Sequence, residues 1–463
     1  MNHPALAKRK RFENPGSQTN QTARKAKQII NTQNMHPATC VFAMLLNKAR
    51  LENYMDKYGI DAIVGTTHLN VAYMTDLDCW FYRTFKDYMF SPGGPARLAQ
   101  SVSVVARDRD PALIMSSLTA PFASTAWVKD ARYYGAGLAS FDFSSYQREP
   151  SSGEADSELL RLHDAYTSKK SGNNALEVLA ATIKDLGLEK GVIGLDFEGL
   201  DDHDRDYLKR SFPGAKIANC SELLRIVRMV KSDDELDRLT RCAEINEVAC
   251  REALNNAING RKAGEALQRF KEYVVSKGAL PEHHIYSRQG RGVSEDAEYR
   301  FRRGEAVFFD FGCIHRMYYS DTGNTVLIGA APENLVKIYK TCSRALSEAL
   351  KRVAPGAKAS DLGEAMIRYL TSNGIRNCAA HGHGIGLEAR DYPAILPSLK
   401  QTVADGFASV GADFLLEENM VLNLEVPYYL FGTASCIVER TVRVTASGYA
   451  ELTRQEREDP IVT

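Results

Sequence analysis

Apolar positions recur at helical spacing through LLNKARLENYMDKYGI, at Leu45, Leu51 and Met55, and the run DAIVGTT that follows reads as a short buried strand. SVSVVARD and PALIMSS are rich in strand-forming residues and flank the turn residues Arg107 to Pro111, which predicts a strand pair. SSYQREPSSGEADSE is a polar loop. NNALEVLAATIKDLG has a helical stripe that stops at Gly187, and GVIGLDFE reads as a strand behind it. Strands and helices alternate in this way to about Cys220, the pattern of a small α/β domain.

A second unit opens near Leu223. In KSDDELDRLTRCAEINEVACREAL, Ser232 and Glu235 have the spacing of a capping box, in which each side chain satisfies the other residue's free backbone N–H. Leu236, Leu239, Ala243, Cys250 and Leu254 then follow one face of a long helix. Helices are predicted again in GEALQRFKEYVVSKG, ENLVKIYKTCSRALSEALKRV and SDLGEAMIRYLTSNG, with strands between and after them. The chain therefore divides into a tail at 1–40, an α/β domain at 41–222 and an α+β domain at 223–463. No internal repeat of solenoid period is present.

Composition narrows the classes of function. The 463 residues carry 58 Lys and Arg against 58 Asp and Glu, so the zero net charge gives no reason to expect nucleic acid or an anionic membrane as partner. No apolar run reaches the ~18–20 residues of a membrane span. The nine cysteines are odd in number and contain no CxxC pair, which suits buried thiols in a reduced, cytoplasmic protein better than a disulfide framework. The stretch MNHPALAKRKRFENPGSQTNQTARKAKQIINTQ has seven Lys and Arg against one Glu and no apolar core of a secretory signal. It reads as a disordered basic tail, a targeting segment or an extension of the reading frame, and no function is placed there.

The chemistry concentrates in AVFFDFGCIHRMYYSDTGNTVLIG. Asp310 and Asp321 stand eleven residues apart in what reads as a core hairpin turning at Cys313–Arg316. Two carboxylates ~4 Å apart repel by about 4 kcal/mol at an effective dielectric of about 20. Either one takes up a proton or a cation lies between them, unless one aspartate only caps the turn. Three further groups favour the cation. His383 sits between glycines in AAHGHGIGLEARDYP, where backbone can approach a site closely. GHGIG lacks the Lys and Ser of a phosphate loop. Glu425 in MVLNLEVPYY and Glu439 in SCIVERTVRV interrupt apolar strands, and a buried mid-strand glutamate is costly unless it is paired or ligates a metal.

In this order (D-x10-D, GHGIG, a strand with E-x-P, then a glutamate before TVRVT) the C-terminal half resembles the creatinase, prolidase, aminopeptidase P and methionine aminopeptidase family, the pita-bread fold. RLENYMDKYGIDAIVGTTHLNVAYMT is similar to the opening of the accessory domain in the creatinase–prolidase branch. The resemblance implies two divalent metal ions held by Asp310, Asp321, His383, Glu425 and Glu439. Asp321 and Glu439 would bridge the pair, and Glu425 would also accept the proton of an attacking water. The oxygen-rich set suits Mn, Fe, Co or Zn. The implied activity is hydrolysis of a peptide or amide C–N bond in a dipeptide or other small molecule, by a homodimer.

The family's peptidases also carry histidines that handle the scissile peptide. Four residues before His383 this chain has Ala379, and seven after it Arg390 and Asp391 replace a His-Glu pair. VSEDAEYRFRRGEAVFFD holds none where a third is expected; His381 and His315 lie nearby at other positions. The altered shell leaves open a non-peptidase reaction, such as those of ectoine hydrolase or the dimethylsulfoniopropionate lyases of this fold, and a non-catalytic binding module. Arg390 reads as a contact for an anionic substrate group or as a surface partner of Asp391 or Glu388. Asp391 and His381 are further candidate substrate contacts. Arg83, with Lys86 in the aromatic stretch DCWFYRTFKDYMF, reads as pocket lining, core or dimer interface.

Overall fold

The computed structural model describes residues 44–81, 100–135, 172–376, 378–453 and 459–463. The basic segment 1–40, the polar loop, and Arg83 and Lys86 lie outside the described residues. Helix α1 (Lys48–Tyr58) starts behind Asn47, whose side-chain oxygen accepts from the Arg50 N–H, and stops at Gly59 in the left-handed region. Leu51 and Met55 form its buried stripe; Leu45, also buried, precedes the cap and so is not part of the helix.

A six-stranded sheet follows, built from β1 (Ala62–Gly65), β2 (Val102–Ala106), β3 (Ala112–Ser116), β4 (Asp130–Tyr134), β5 (Val192–Leu195) and β6 (Lys216–Asn219) in the order β4-β3-β2-β1-β5-β6. β1 pairs antiparallel with β2 and parallel with β5. β1, β2 and β3 are buried at every position, which is why their sequences run apolar without alternation. Helices α2 (His68–Thr75), α3 (Ala175–Asp185) and α4 (Asp202–Ser211) belong to this layer. Buried Asp196, just past β5, accepts from Thr67, Asn70 and Ser221 side chains at 2.8, 2.7 and 2.8 Å, tying the sheet to the start of α2 and to α5 (Ser221–Arg228).

Helix α6 (Asp233–Asn256) opens with the expected capping box: Glu235 N–H donates to Ser232 Oγ and Ser232 N–H to Glu235 Oε2. Its buried stripe is wider than the five predicted positions, adding Cys242, Ile245, Asn246, Ala249 and Ala253, because the helix is covered on two sides, by α7 (Ala263–Ser276) and by strands. Those strands are β7 (Leu280–Arg288), β8 (Val293–Ser294), β9 (Ala306–His315) and β10 (Tyr318–Leu327). With β20 (Ile461–Val462) they form a sheet ordered β20-β10-β9-β7-β8.

After α8 (Glu333–Leu350) and α9 (Ala359–Ser372) comes a second five-stranded sheet. It contains β11 (His381–Gly384), β12 (Asp391–Ile395), β15 (Val421–Glu425), β18 (Glu439–Thr445) and β19 (Gly448–Glu451), ordered β12-β11-β15-β18-β19 and antiparallel throughout. Two small ribbons flank it, β13 with β14 (Thr402–Ala404, Ser409–Gly411) and β16 with β17 (Tyr428–Leu430, Ala434–Cys436), and β20 (Ile461–Val462) returns to pair parallel with β10. The sheets meet where Thr441 Oγ1 donates to Asp321 O and Thr325 Oγ1 donates to Ile437 O. Among the described residues no helix is long and apolar enough to cross a membrane.

Candidate metal centre

Strands β9 and β10 are joined at Arg316 and Met317, both at positive φ (48° and 74°). This two-residue turn matches strand twist. The strands therefore extend to His315 and the reversal comes later than the Cys313–Arg316 turn expected from sequence. The ladder pairs Asp310 with Gly323 and Asp321 with Gly312. The two aspartates are thus diagonal neighbours on one face, each directly across from a glycine. Both glycines are required by what fills the space. A Cβ on Gly323 would overlap Glu439 Oε2, and one on Gly312 would overlap the ring of His283.

The facing sheet supplies the remaining donors in two rows. His381, Glu425 and Glu439 lie side by side across β11, β15 and β18, and His383, Asn423 and Thr441 form the next row. His383 Nδ1 donates to Gly384 O at 2.9 Å, which leaves Nε2 as a bare lone pair 3.7 Å from Asp321 Oδ2 and 3.9 Å from Glu425 Oε1. Asn423 Nδ2 donates to Glu439 Oε1. The five residues expected to ligate metal are therefore gathered between the two sheets.

The electrostatics of this cluster call for positive charge. Burial, and then the charges of Asp321, Asp310 and Glu425, push the Glu439 carboxyl far above its usual range. Burial raises Asp310 to about 6 despite its hydrogen bond from His283. Burial holds His383 below the ordinary imidazole value, so its lone pair stays available. Asp321 Oδ1, His383 Nε2 and Glu439 Oε2 are buried without a hydrogen-bond partner. Orphaned acceptors are costly in an apolar interior, and His383 Nε2 and Glu439 Oε2, beside an Asp321 Oδ1 that His283 approaches at 3.2 Å, are hard donors that fit divalent cations. No cysteine thiolate enters the set.

The surrounding residues divide sharply. His381 Nδ1 lies 2.5 Å from Ala379 O and its Nε2 lies 2.7 Å from Glu425 Oε1. Burial alone would lower its pKa, but the Glu425 carboxylate reverses that and raises it. Arg390 is 63% exposed and places Nη2 3.1 Å from Glu425 Oε1. Asp391, read from sequence as a substrate contact, is instead held in an internal ion pair. Its side chain is 1% exposed, with Lys231 Nζ at 3.2 Å, Arg228 Nη2 at 3.6 Å and the Tyr392 N–H on the other oxygen. His315 is also set apart: it pairs with Tyr318 beside the hairpin turn.

One residue escaped the sequence reading. His283 Nε2 lies 3.0 Å from Asp310 Oδ1 and 3.2 Å from Asp321 Oδ1, and its Nδ1 is hydrogen-bonded to Glu282. It precedes Asp310 by 27 residues, well outside the stretch searched for a histidine. The legible signal was the pair His283–His284 in a β-rich run that pairs with FFDFG.

Comparison with known proteins agrees with this architecture. Residues 237–446 match metallopeptidase family M24. A Xaa-Pro dipeptidase from Pyrococcus horikoshii is 25% identical over 285 residues, 60% of this chain and 75% of that protein. One from Lactobacillus delbrueckii subsp. lactis is 25% identical over 262 residues, 54% of this chain and 67% of that protein. Among solved structures, a Xaa-Pro dipeptidase from Bacillus anthracis superposes with a TM-score of 0.65 at 21% identity, covering 90% of this chain and 98% of that one. The prolidase from Pyrococcus horikoshii gives 0.62 at 20% identity, covering 89% and 98%. With the mixed sheets, the paired aspartates and the Gly-flanked histidine already in place, the chain carries a segment that matches metallopeptidase family M24 and has the pita-bread fold of the solved prolidases.

Proposed function

We propose that this protein is a metal-dependent dipeptidase that cleaves the C–N bond of Xaa-Pro or closely related small substrates. The carrying observation is the pair of partnerless buried atoms His383 Nε2 and Glu439 Oε2, with His383 Nε2 facing Asp321 and Glu425 at 3.7 and 3.9 Å. In this reading the five side chains hold two divalent ions drawn from Mn, Fe, Co and Zn. Bound there, the ions would lower the pKa of a water and polarise the scissile carbonyl.

The chain's own residues do the rest. Glu425 takes the proton of the attacking water. His381, 2.7 Å away, is placed to exchange that proton and pass it toward the leaving amine, which gives it the task of the missing histidine at Ala379. Its Nδ1 contact with Ala379 O fixes the ring so that Nε2 addresses Glu425. Arg390 cannot deprotonate, so it serves as an anchor: one nitrogen orients Glu425 and the remaining donors are free for a substrate carboxylate or carbonyl.

We assign this chemistry to the segment 223–463 and a supporting place to 41–222, within a homodimer. The eight described cysteines are all free thiols, which supports a reducing, cytoplasmic setting. The test is metal analysis followed by turnover assays on Xaa-Pro dipeptides with Mn²⁺ or Co²⁺ restored. Expected are about two ions per chain and hydrolysis that a chelator abolishes. Full metal loading without turnover of any dipeptide, but with turnover of ectoine or a sulfonium compound, would replace the peptidase reading.

A further inference from the structure

We propose that His283 is a metal ligand of this centre, a sixth protein donor beyond the two aspartates, one histidine and two glutamates. The inference rests on the metal-centre reading above and adds to it a residue from a different strand.

The backbone is built to deliver this ring. β7 pairs with β9 through Leu280–Ile314, Pro281–Cys313 and then His284–Phe311, so Glu282 and His283 together oppose the single residue Gly312. Two residues against one is a β-bulge, and bulges re-aim side chains beside active sites. With regular pairing the strand would place one side chain here; with the bulge, His283 turns into the space above Gly312. That space exists only because position 312 has no Cβ: a methyl there would collide with His283 Cε1 and Nδ1. Gly312 in turn faces Asp321 across the ladder, so the ring arrives beside both aspartates.

The atoms have a ligand's arrangement. His283 Nε2, an Asp310 oxygen and an Asp321 oxygen lie close enough together to hold one ion. Nε2 is 3.0 and 3.2 Å from the two carboxylate oxygens. Two donors bound at right angles to one cation at ~2.1 Å are separated by about 3 Å, so these spacings are those of neighbouring ligands. His383, by comparison, stands 3.7 Å from Asp321. On the far side of the ring, Glu282 engages Nδ1. A carboxylate on the outer nitrogen of a ligating histidine fixes its orientation and strengthens its inner nitrogen as a donor. Glu282 is thus the positioning residue and His283 the donor.

The contrary possibility is that His283 serves only as a counter-ion to the two aspartates, in which case a metal must displace it. The two differ in sign: removing a ligand weakens metal binding, and removing a competitor strengthens it.

The experiment uses the full chain, stripped of metal and titrated with Co²⁺, with stoichiometry and affinity read by calorimetry and coordination by the visible absorption spectrum. His283→Ala is expected to weaken one of the Co²⁺ sites by at least 10-fold, about the loss seen when even an outer-shell partner is removed, and to change the intensity and position of the d–d bands. Glu282→Gln, which leaves the ring in place, is expected to weaken the same site by a smaller factor. This variant also serves if His283→Ala does not fold. Unchanged or tighter Co²⁺ binding in both variants, with an unchanged spectrum, overturns the ligand assignment while leaving the centre intact. A wild-type chain that binds no Co²⁺ overturns the assignment together with the metal-centre reading on which it rests.

Discussion

Arg390 Nη2 lies 3.1 Å from Glu425 Oε1, while the acids nearest to Arg390 in sequence, Glu388 and Asp391, are both held by Arg228. The guanidinium is therefore turned into the cleft rather than spent on a surface pair. Arg390→Ala is expected to raise KM more than it lowers kcat. Loss of one charge-assisted hydrogen bond to substrate corresponds to about 1.5–3 kcal/mol, roughly 10- to 150-fold in kcat/KM. Steady-state kinetics on Xaa-Pro dipeptides measure this. A fall in kcat with KM unchanged would place Arg390 in the chemical step instead.

Gly323→Ala tests the close approach of the sheets. The added methyl would overlap Glu439 Oε2 and come within 2.9 and 3.1 Å of Ile437 side-chain atoms. Overpacking of this kind costs about 1–3 kcal/mol. Expected are a lower Tm and weaker metal binding together, because the atom displaced is a proposed ligand donor. A lower Tm with unchanged metal affinity would show that Glu439 is not held by this contact.

Asp391 gives the opposite result from Arg390. Its partners Lys231 and Arg228 are themselves almost fully buried, so Asp391→Ala takes from Lys231 its ion-pair partner and leaves Arg228 with Glu388 alone. Breaking such a pair from one side costs about 3–5 kcal/mol. Denaturant unfolding is expected to show that loss, and KM in the folded fraction to stay near wild type. A large KM change with little loss of stability would restore Asp391 as a substrate contact.

Glu235 is the source of a pH effect on stability away from the site. Burial raises its carboxyl from an ordinary value near 4.5 to about 7, against the opposing pull of Lys231 and the hydrogen bonds from Ser232 and Tyr318. Between those two values the folded protein binds more protons than the unfolded chain, so this group's contribution is fully present below pH ~4.5 and is lost as pH rises through about 7. The loss is of the order of 3 kcal/mol. Glu235→Gln is expected to flatten this part of the stability profile, read as Tm from pH 4.5 to 8. An unchanged slope would assign the effect to other groups.

The proposed metal donors were legible because each interrupts an apolar strand: Asp310 within FFDFG, Glu425 within VLNLEV and Glu439 within CIVERTV have no reason to be buried except a partner. The long helix was legible from its capping box and stripe. Long-range pairing was not. Lys231 and Asp391 are 160 residues apart, so Asp391 read as a substrate contact or a surface partner of Arg390. His283 was hidden because it lies 27 residues before Asp310, and only the pairing of β7 with β9, with its bulge opposite Gly312, brings it beside the aspartates. The Arg390 direction was also beyond the sequence, since its two nearest acids are claimed by Arg228 on α5.

The hairpin that carries the aspartates reads Asp310-Phe311-Gly312 on one strand and Asp321-Thr322-Gly323 on the other, each tripeptide antiparallel to its twin. A local pseudo-twofold axis passes between Phe311 and Thr322, so the backbone offers the same half-site twice. What enters the two halves is different: an imidazole over Gly312 and a carboxylate over Gly323. A symmetric frame furnished with unlike groups makes the two half-sites inequivalent in charge. For the two-ion centre proposed above, occupancy is then expected to be sequential, the carboxylate-rich half filling at lower free ion concentration than the half bearing His283, so that scarcity of the ion would leave the chain half-loaded before it left it empty.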